Sequence, residues 1–418
     1  MQLTPALLKH AETLIAELLR FSFPADSSVS RYFRQHRELG PKDRGFVAEL
    51  AYTVLRHKRS LTARCLDTVT SRRLLLAALA CVQGRNRREL ASVLSESESR
   101  WMAQAKAVKA EDLPEAVRLD FPDWLHAALT LQFDATLLES LANGLNQPAP
   151  LDLRVNSIKA ERDAVLHRLR TDGLDAEPCR YSPLGIRLMD KPSLARHPLF
   201  LDGSVEVQDE GSQLLSFLVQ PKRGEMVADF CAGAGGKTLQ LGAMMRSQGR
   251  LYAFDVAEKR LAKLKPRLAR SGLSNVYPIL ITTEHDIRIK RLAGKLDRVL
   301  VDAPCSGLGT LRRNPDLKWR QTPESIAELI IKQTSILRVA ATLVKKGGRL
   351  IYATCSLLDL ENEYIMTDFL EENPEFVSLS AEELLHKQGI VLETGMRLRL
   401  FPHLHGTDGF FAAVMERR

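Results

Sequence analysis

The chain has 418 residues, enough for two or three domains with separate cores, and its apolar content of 45% and charged content of 26% exclude general disorder. Its 59 Lys and Arg against 51 Asp and Glu leave a formal charge of +8, which suits a polyanionic partner without identifying one. Six cysteines (Cys65, Cys81, Cys179, Cys231, Cys305, Cys355) occur without a CxxC pair or clustered histidines, so neither a zinc site nor a disulfide framework is indicated and no metal is expected.

At the start of the chain Leu3, Leu7, Ala11, Leu14 and Leu18 fall at helical spacing with Lys9, Glu12, Glu17 and Arg20 between them. This predicts an amphipathic helix whose charges interrupt any signal-peptide core. The apolar run LLLAALACV from Leu74 is too short to span a bilayer, so the expectation is a cytoplasmic protein with no membrane partner, acting as a monomer. Residues 1–145 carry helical periodicity, broken at Phe23-Pro24, Gly40-Pro41, Gly84 and Pro114. Basic stretches recur within this part, at Arg31 to Arg37, Arg56 to Arg59 and Arg85 to Arg88. A solvated helix face explains most such runs, but their recurrence in one helical region favours RNA binding.

Asn146-Gln147-Pro148-Ala149-Pro150 reads as a linker. Strands at 151–157 and 185–190 around a helix at 160–172 predict a small α+β module over residues 146–220, closed by a helix after VQDEGS. Over residues 221–418 strand and helix alternate, which predicts an α/β, Rossmann-like domain with a parallel sheet covered on both faces. Its strands are expected at Met226–Phe230, Arg250–Val256, Val276–Ile281, Asp297–Val301 and Arg349–Thr354. Helices are expected at 237–247, at 257–271 despite Pro266, and at 322–345.

The stretch VADFCAGAGGKTLQL, residues 227–241, reads as strand, glycine-rich loop and helix start, the pattern of a nucleotide-binding turn. Gly236-Lys237-Thr238 has the ending of a P-loop, and Val299-Leu300-Val301-Asp302 could pass for a magnesium-binding strand end. A P-loop requires GxxxxGK[ST], however, and counting back from Gly236 places Cys231 where the first glycine belongs. Cysteine does not take the positive φ of that position without strain, which argues against an NTPase. The next strand ends in Asp255, 20 positions after Gly235, where a doubly wound fold holds ribose hydroxyls. Such hydroxyls occur in NAD and in S-adenosylmethionine; the GxGG spacing of Gly233, Gly235 and Gly236, in place of GxGxxG, favours S-adenosylmethionine.

The fourth and fifth strands end in VDAPCSGLGT and YATCS. With neighbouring strands only about 4.8 Å apart, Asp302, Cys305 and Cys355 are expected to converge beside the glycine loop. Two thiols and a carboxylate next to a methyl donor match carbon-5 methylation of cytosine. That carbon becomes nucleophilic only after a thiolate adds to carbon-6, and the adduct then needs a group near ring nitrogen-3 and help in release. Free cysteine more often packs as a small hydrophobe, the reading taken for Cys65, Cys81 and Cys179. Cys305 and Cys355 sit instead in polar turns after strand ends. A non-catalytic RNA-binding or assembly protein with this fold is the alternative, and retention of both thiols, Asp302 and the glycine loop speaks against it.

The segments DFCAGAGGKT, VLVDAPCSGLGTLRRNPDLKW and YATCS, supported by LRVNS, VQDEGS and TDGFFAAVM, resemble the motifs of the RsmB/NSUN family of RNA 5-methylcytosine methyltransferases over residues 150–418. LGPKDRGFVAELAYTVLRHKRSL is similar to the NusB-like helical extension of bacterial members. The resemblance implies a class I S-adenosylmethionine-dependent methyltransferase acting on RNA, with ribosomal RNA as the expected partner. It implies Cys355 as nucleophile, Cys305 as the group that assists release, Asp302 at the target cytosine and Lys237 near cofactor and base. It further implies cofactor contacts from Cys231, Ala232, Gly233, Gly235, Gly236, Lys237, Asp255 and Asp302, and an acidic contact after the third strand. Glu284 and Asp286 are the candidates for that contact, and Asp286 is taken. Arg312, Arg313 and Trp319 are implied on the RNA side, with packing an equal alternative for Trp319. The family's commoner loop is CAAPGGKT; Gly233-Ala234 replaces Ala-Pro here.

Overall fold

The computed structural model describes residues 3–418, which divide into two compact units, residues 3–148 with 310–323, and residues 149–309 with 324–418. The first unit is helical. Its opening helix, Pro5–Leu18, starts with proline at the first helical position and with the Thr4 hydroxyl accepting from the Leu7 amide, so two of the usual start signals coincide. The face expected from Leu7, Ala11, Leu14 and Leu18 is buried together with Leu8 and Ile15, and it packs on the helices Pro41–Arg56 and Ser71–Ala77.

The expected partition places residues 310–323 in the methyltransferase domain, whereas in the structure they pack within the helical unit. A short helix, Leu317–Arg320, carries Lys318 and Trp319 inward. The Lys318 ammonium donates to the Arg56 carbonyl at 2.7 Å and to Asn146 Oδ1 at 3.0 Å. Trp319 Nε1 donates to the Leu55 carbonyl at 2.8 Å. Burial pushes the Lys318 pKa down to about 8. The basic run at 56–59 is likewise turned partly inward. Arg56 is buried, reaching Glu49 and the Arg312 carbonyl, and Arg59 donates to the Phe121 carbonyl and Asp123. These arginines tie the unit together in place of forming the exposed basic face expected of them.

The second unit contains two sheets. The smaller is antiparallel, in the order β2-β3-β1-β4, from β1 (Leu151–Val155), β2 (Ala176–Pro178), β3 (Gly185–Leu188) and β4 (Val205–Val207). The helix Arg162–Thr171 belongs to the same module. The larger sheet is built from β5 (Met226–Asp229), β6 (Arg250–Asp255), β7 (Val276–Leu280), β8 (Leu296–Asp302), β9 (Val344–Thr354), β10 (Phe376–Leu379), β11 (Leu398–Leu400) and β12 (Phe410–Arg417). Its order is β10-β12-β9-β8-β5-β6-β7, with β11 on β12. The strands from β7 across to β9 run parallel, and β12 enters antiparallel beside β9. Val299, Leu300 and Val301 are all fully buried, as expected of a parallel strand whose two faces are both covered. The expected helices are present as Gly236–Met244, Glu258–Ser271 with Pro266 inside it, and Pro323–Leu343.

Candidate active site

Chain order reverses between β5 and β8, which are neighbours although two strands separate them in sequence. Crevices form at such a point because the connections leave to opposite sides, and here Asp229 and Asp302 end the two strands. The glycine loop follows β5. Gly233 and Gly235 have φ of +55° and +81°, and a Cβ at Gly235 would lie 2.2 Å from Leu264 Cδ1, so a side chain there is strained in its backbone and must displace Leu264. The Gly233 and Ala257 amides donate to the two oxygens of Asp255 at 2.7 and 2.6 Å, and the Ala232 amide donates to the Phe254 carbonyl at 2.9 Å. Arg267 binds the Ala234 carbonyl at 2.6 Å and the buried Arg154 binds that of Gly236 at 2.5 Å. The loop is thus held from behind by two guanidinium groups that sequence reasoning did not single out.

The loop forms one wall of a cavity of about 660 Å³; Asp302, Cys305 and Cys355 line it as well. Cys231, Ala232, Gly233, Gly236, Lys237 and Asp255 all line the same space, while Gly235 shapes the turn without lining it. Asp229 also faces the cavity, and its buried Oδ1 has no hydrogen-bond partner among the described residues. Burial pushes the Asp229 carboxyl up to about 7, against a 2.6 Å bond from the Thr238 hydroxyl and with the charge of Asp302 adding to the rise.

Lys237 and Asp302 form an ion pair at 2.7 Å. Burial opposes the charge on Lys237, but the carboxylate outweighs it and holds the Lys237 pKa above its ordinary value. The same ammonium lies 5.7 Å from the centre of the Phe410 ring and interacts electrostatically with Cys355. Cys305 Sγ and Cys355 Sγ are 3.4 Å apart, and the Cys355 amide donates to Cys305 Sγ at 3.3 Å. The hydrogen bond with Cys355, reinforced by burial, pushes the Cys305 thiol well up. Cys305 is therefore neutral near pH 7. Behind Cys355, its carbonyl accepts from the Gly309 amide at 2.8 Å, and Gly409 closes on Gly309 in turn.

The structure corrects one expected contact. Asp286 does not line the cavity; its carboxylate binds the Arg288 guanidinium at 2.6 and 2.9 Å and caps the short helix Ile287–Lys290. Glu284 lines the cavity instead, accepting from the Ser335 hydroxyl at 2.5 Å. The arginine two residues on captures Asp286, a pairing visible in the sequence HDIR once the loop is known to turn there. Cys65 and Cys179 are buried and Cys81 packs on the helical core, as expected of thiols that pack as small hydrophobes. Lys332, on the helix Pro323–Leu343, enters the cavity wall with no local motif to announce it.

Comparison with known proteins agrees with this architecture. The family model described as 16S rRNA methyltransferase RsmB/F matches residues 216–416, and the RsmF/B-like ferredoxin-like domain matches residues 121–194. The chain is 31% identical to the "Probable ribosomal RNA small subunit methyltransferase B" of Synechocystis, over 97% of this chain and 98% of the relative. It is 34% identical to the ribosomal RNA small subunit methyltransferase B of Photorhabdus laumondii, over 71% of this chain and 66% of the relative. Among solved structures, PH0851 superposes with a TM-score of 0.80 at 25% identity over the whole of both chains. A methyltransferase homolog from Pyrococcus horikoshii does so with a TM-score of 0.63 at 29% identity, over 74% of this chain and all of that one. With a Rossmann-like sheet, a glycine loop at its switch point and a relative matched nearly end to end, the chain belongs to the RsmB/F family of 16S rRNA methyltransferases.

Proposed function

We propose that the chain binds S-adenosylmethionine and methylates carbon-5 of a cytosine in ribosomal RNA through a covalent Cys355 adduct. The observation that carries this reading is the pairing of two thiols 3.4 Å apart in one cavity with the Lys237–Asp302 pair and the glycine loop. Methylation of an exocyclic amine or a ribose hydroxyl has no use for either thiol.

The residues present fit the cofactor. Each Asp255 oxygen takes one backbone N–H and keeps a lone-pair direction for a ribose hydroxyl. Glu284 stands ready for a further polar contact, and the orphaned Asp229 oxygen can accept from a bound donor. When bound, S-adenosylmethionine supplies an electrophilic methyl group. Cys355 is the nucleophile: its thiolate adds to carbon-6, the carbon-5/carbon-6 double bond opens, and carbon-5 becomes the nucleophilic centre. Lys237 stabilises the thiolate by charge, while Asp302, itself held by Lys237, takes the position beside ring nitrogen-3 and steadies the proton there. Cys305 begins the cycle as a neutral thiol. Once carbon-5 carries the methyl group, Cys305 gives its proton to the departing Cys355 sulfur as the carbon-6 to sulfur bond breaks, and the Cys305 thiolate so formed takes the carbon-5 proton, which restores both thiols.

The test is transfer of labelled methyl from S-adenosylmethionine to naked ribosomal RNA and to assembling small subunits, followed by digestion to nucleosides. Label in 5-methylcytidine is expected. Label in another nucleoside, or in neither substrate, overturns the proposal.

A further inference from the structure

Behind the thiols lies a buried carboxylate that the reaction, as described, does not use. Glu361 is fully buried at the end of a one-turn helix, Asp359–Glu361, and its main-chain carbonyl is fixed by the Tyr352 hydroxyl at 2.7 Å. One carboxylate oxygen accepts from the Ser306 amide at 2.9 Å and from Gln333 Nε2 at 2.8 Å; the other accepts from the Ser356 hydroxyl. Ser306 directly follows Cys305, and Ser356 directly follows Cys355. The two serines also bond to each other, Ser306 Oγ to Ser356 Oγ at 3.0 Å, and Gln333 reaches on to the Pro304 carbonyl at 2.9 Å. A single side chain therefore bridges the two cysteine loops, which lie 50 residues apart in sequence, one residue beyond each reacting sulfur.

We propose that Glu361 is the positioning residue that fixes the two thiols relative to each other. The inference rests on the reading of Cys355 and Cys305 as the reacting groups. Its physical basis is that the ladder between β8 and β9 ends at Asp302 and Ala353, and beyond it the Cys355 amide on Cys305 Sγ and the Gly309 amide on the Cys355 carbonyl are joined by the Glu361 bridge in setting the spacing of the sulfurs. A carboxylate is suited to that task because it accepts from both turns at once, where an apolar side chain accepts from neither. Its negative charge also acts on Cys305, adding to the neighbouring thiol and to burial in keeping that sulfur protonated.

The test is Glu361→Gln in the full chain, which keeps the shape, removes the charge and inverts one of the bonds to the turns. Steady-state methyl transfer to ribosomal RNA gives kcat and KM. Alkylation of each cysteine by iodoacetamide, followed against pH by peptide mass spectrometry, is read on the protein alone. The expected result is a fall in kcat of about 100-fold, the loss that follows misplacement of reacting groups by about 1 Å, with KM for the RNA unchanged. Together with it, the pH midpoint of Cys305 alkylation moves down. A kcat and an alkylation profile both like wild type overturn the proposal. So does a general loss of thermal stability and RNA affinity with no movement of the alkylation midpoint, which marks a merely structural residue. Should Glu361→Gln fail to fold, Ser356→Ala cuts the bridge from the other end; a lower kcat at unchanged KM is expected, and a wild-type kcat overturns the proposal. Failure of the underlying chemistry shows separately, as full activity in Cys355→Ala, and leaves the Cys305 alkylation profile as a valid reading of Glu361.

Discussion

Near pH 7 the neutral Cys305 thiol and the Lys237 charge beside Cys355 set two chemically identical side chains in different electrostatic environments. Cys355→Ala is expected to abolish turnover while leaving the melting temperature close to wild type, because a half-buried cleft thiol contributes little packing. Cys305→Ala is expected to accumulate a covalent protein–RNA adduct, seen as a shifted band after denaturing electrophoresis; an adduct from Cys355→Ala instead would reverse the two roles. Asp229 supports a prediction on stability. Its folded-state pKa of about 7 lies above the ordinary 3.8, so the folded protein holds a proton that the unfolded chain has released. The stability this confers is fully present below about pH 4 and is lost as pH rises through 7, amounting to a few kcal/mol at roughly 1.4 kcal/mol per pKa unit. Asp229→Asn removes the titration, so the difference in urea stability between pH 5 and pH 8 should shrink in that variant. An unchanged difference would show that Asp229 does not titrate in this range.

The parallel strands were legible because each is a short apolar run ended by Asp, Gly or a polar turn, and β5, β6, β7 and β8 lie within a residue or two of their expected limits. The antiparallel edge was not read as strands: β10 and β12 pair with segments far away in sequence, β11 is only three residues long, and β12 was visible only as the motif TDGFFAAVM. The reach from Glu361 to the Ser306 turn was hidden for the same reason, since a hydrogen bond across 55 residues leaves no local pattern. The glycine loop, by contrast, is a local device and was read locally. Gly235→Ala is expected to cost about 1–2 kcal/mol for the left-handed backbone alone, with a further cost as Leu264 is displaced. Urea denaturation measures that loss, and calorimetry should show weakened S-adenosylmethionine binding because the loop wall moves with it. Wild-type values in both would mean that the turn relaxes without strain.

Division of the molecule into units does not follow the order of the chain. The family resemblance implies Arg312, Arg313 and Trp319 of RRNPDLKW on the RNA side, with packing an equal alternative for Trp319. Yet Lys318 is fully buried and Trp319 spends its only donor on Leu55. A lysine is buried at a cost in desolvation, and here that cost is offset by two acceptors, the Arg56 carbonyl and the Asn146 side chain. The helical unit is thus completed by residues that the chain delivers only after β8, so a fragment ending at residue 148 lacks Lys318 and Trp319. Lys318→Ala is expected to destabilise this unit by about 2 kcal/mol, the scale of a lost hydrogen-bond pair to a charged group. Hydrogen exchange in the full chain locates the effect: amides of Leu317–Arg320 and of the last turn of Pro41–Arg56 should exchange faster, while those of β5 and β8 keep their protection. Faster exchange in β5 and β8 to the same extent would mean that the helical unit and the methyltransferase sheet open as one, and unchanged exchange in Leu317–Arg320 would mean that Lys318 does not hold the segment in place.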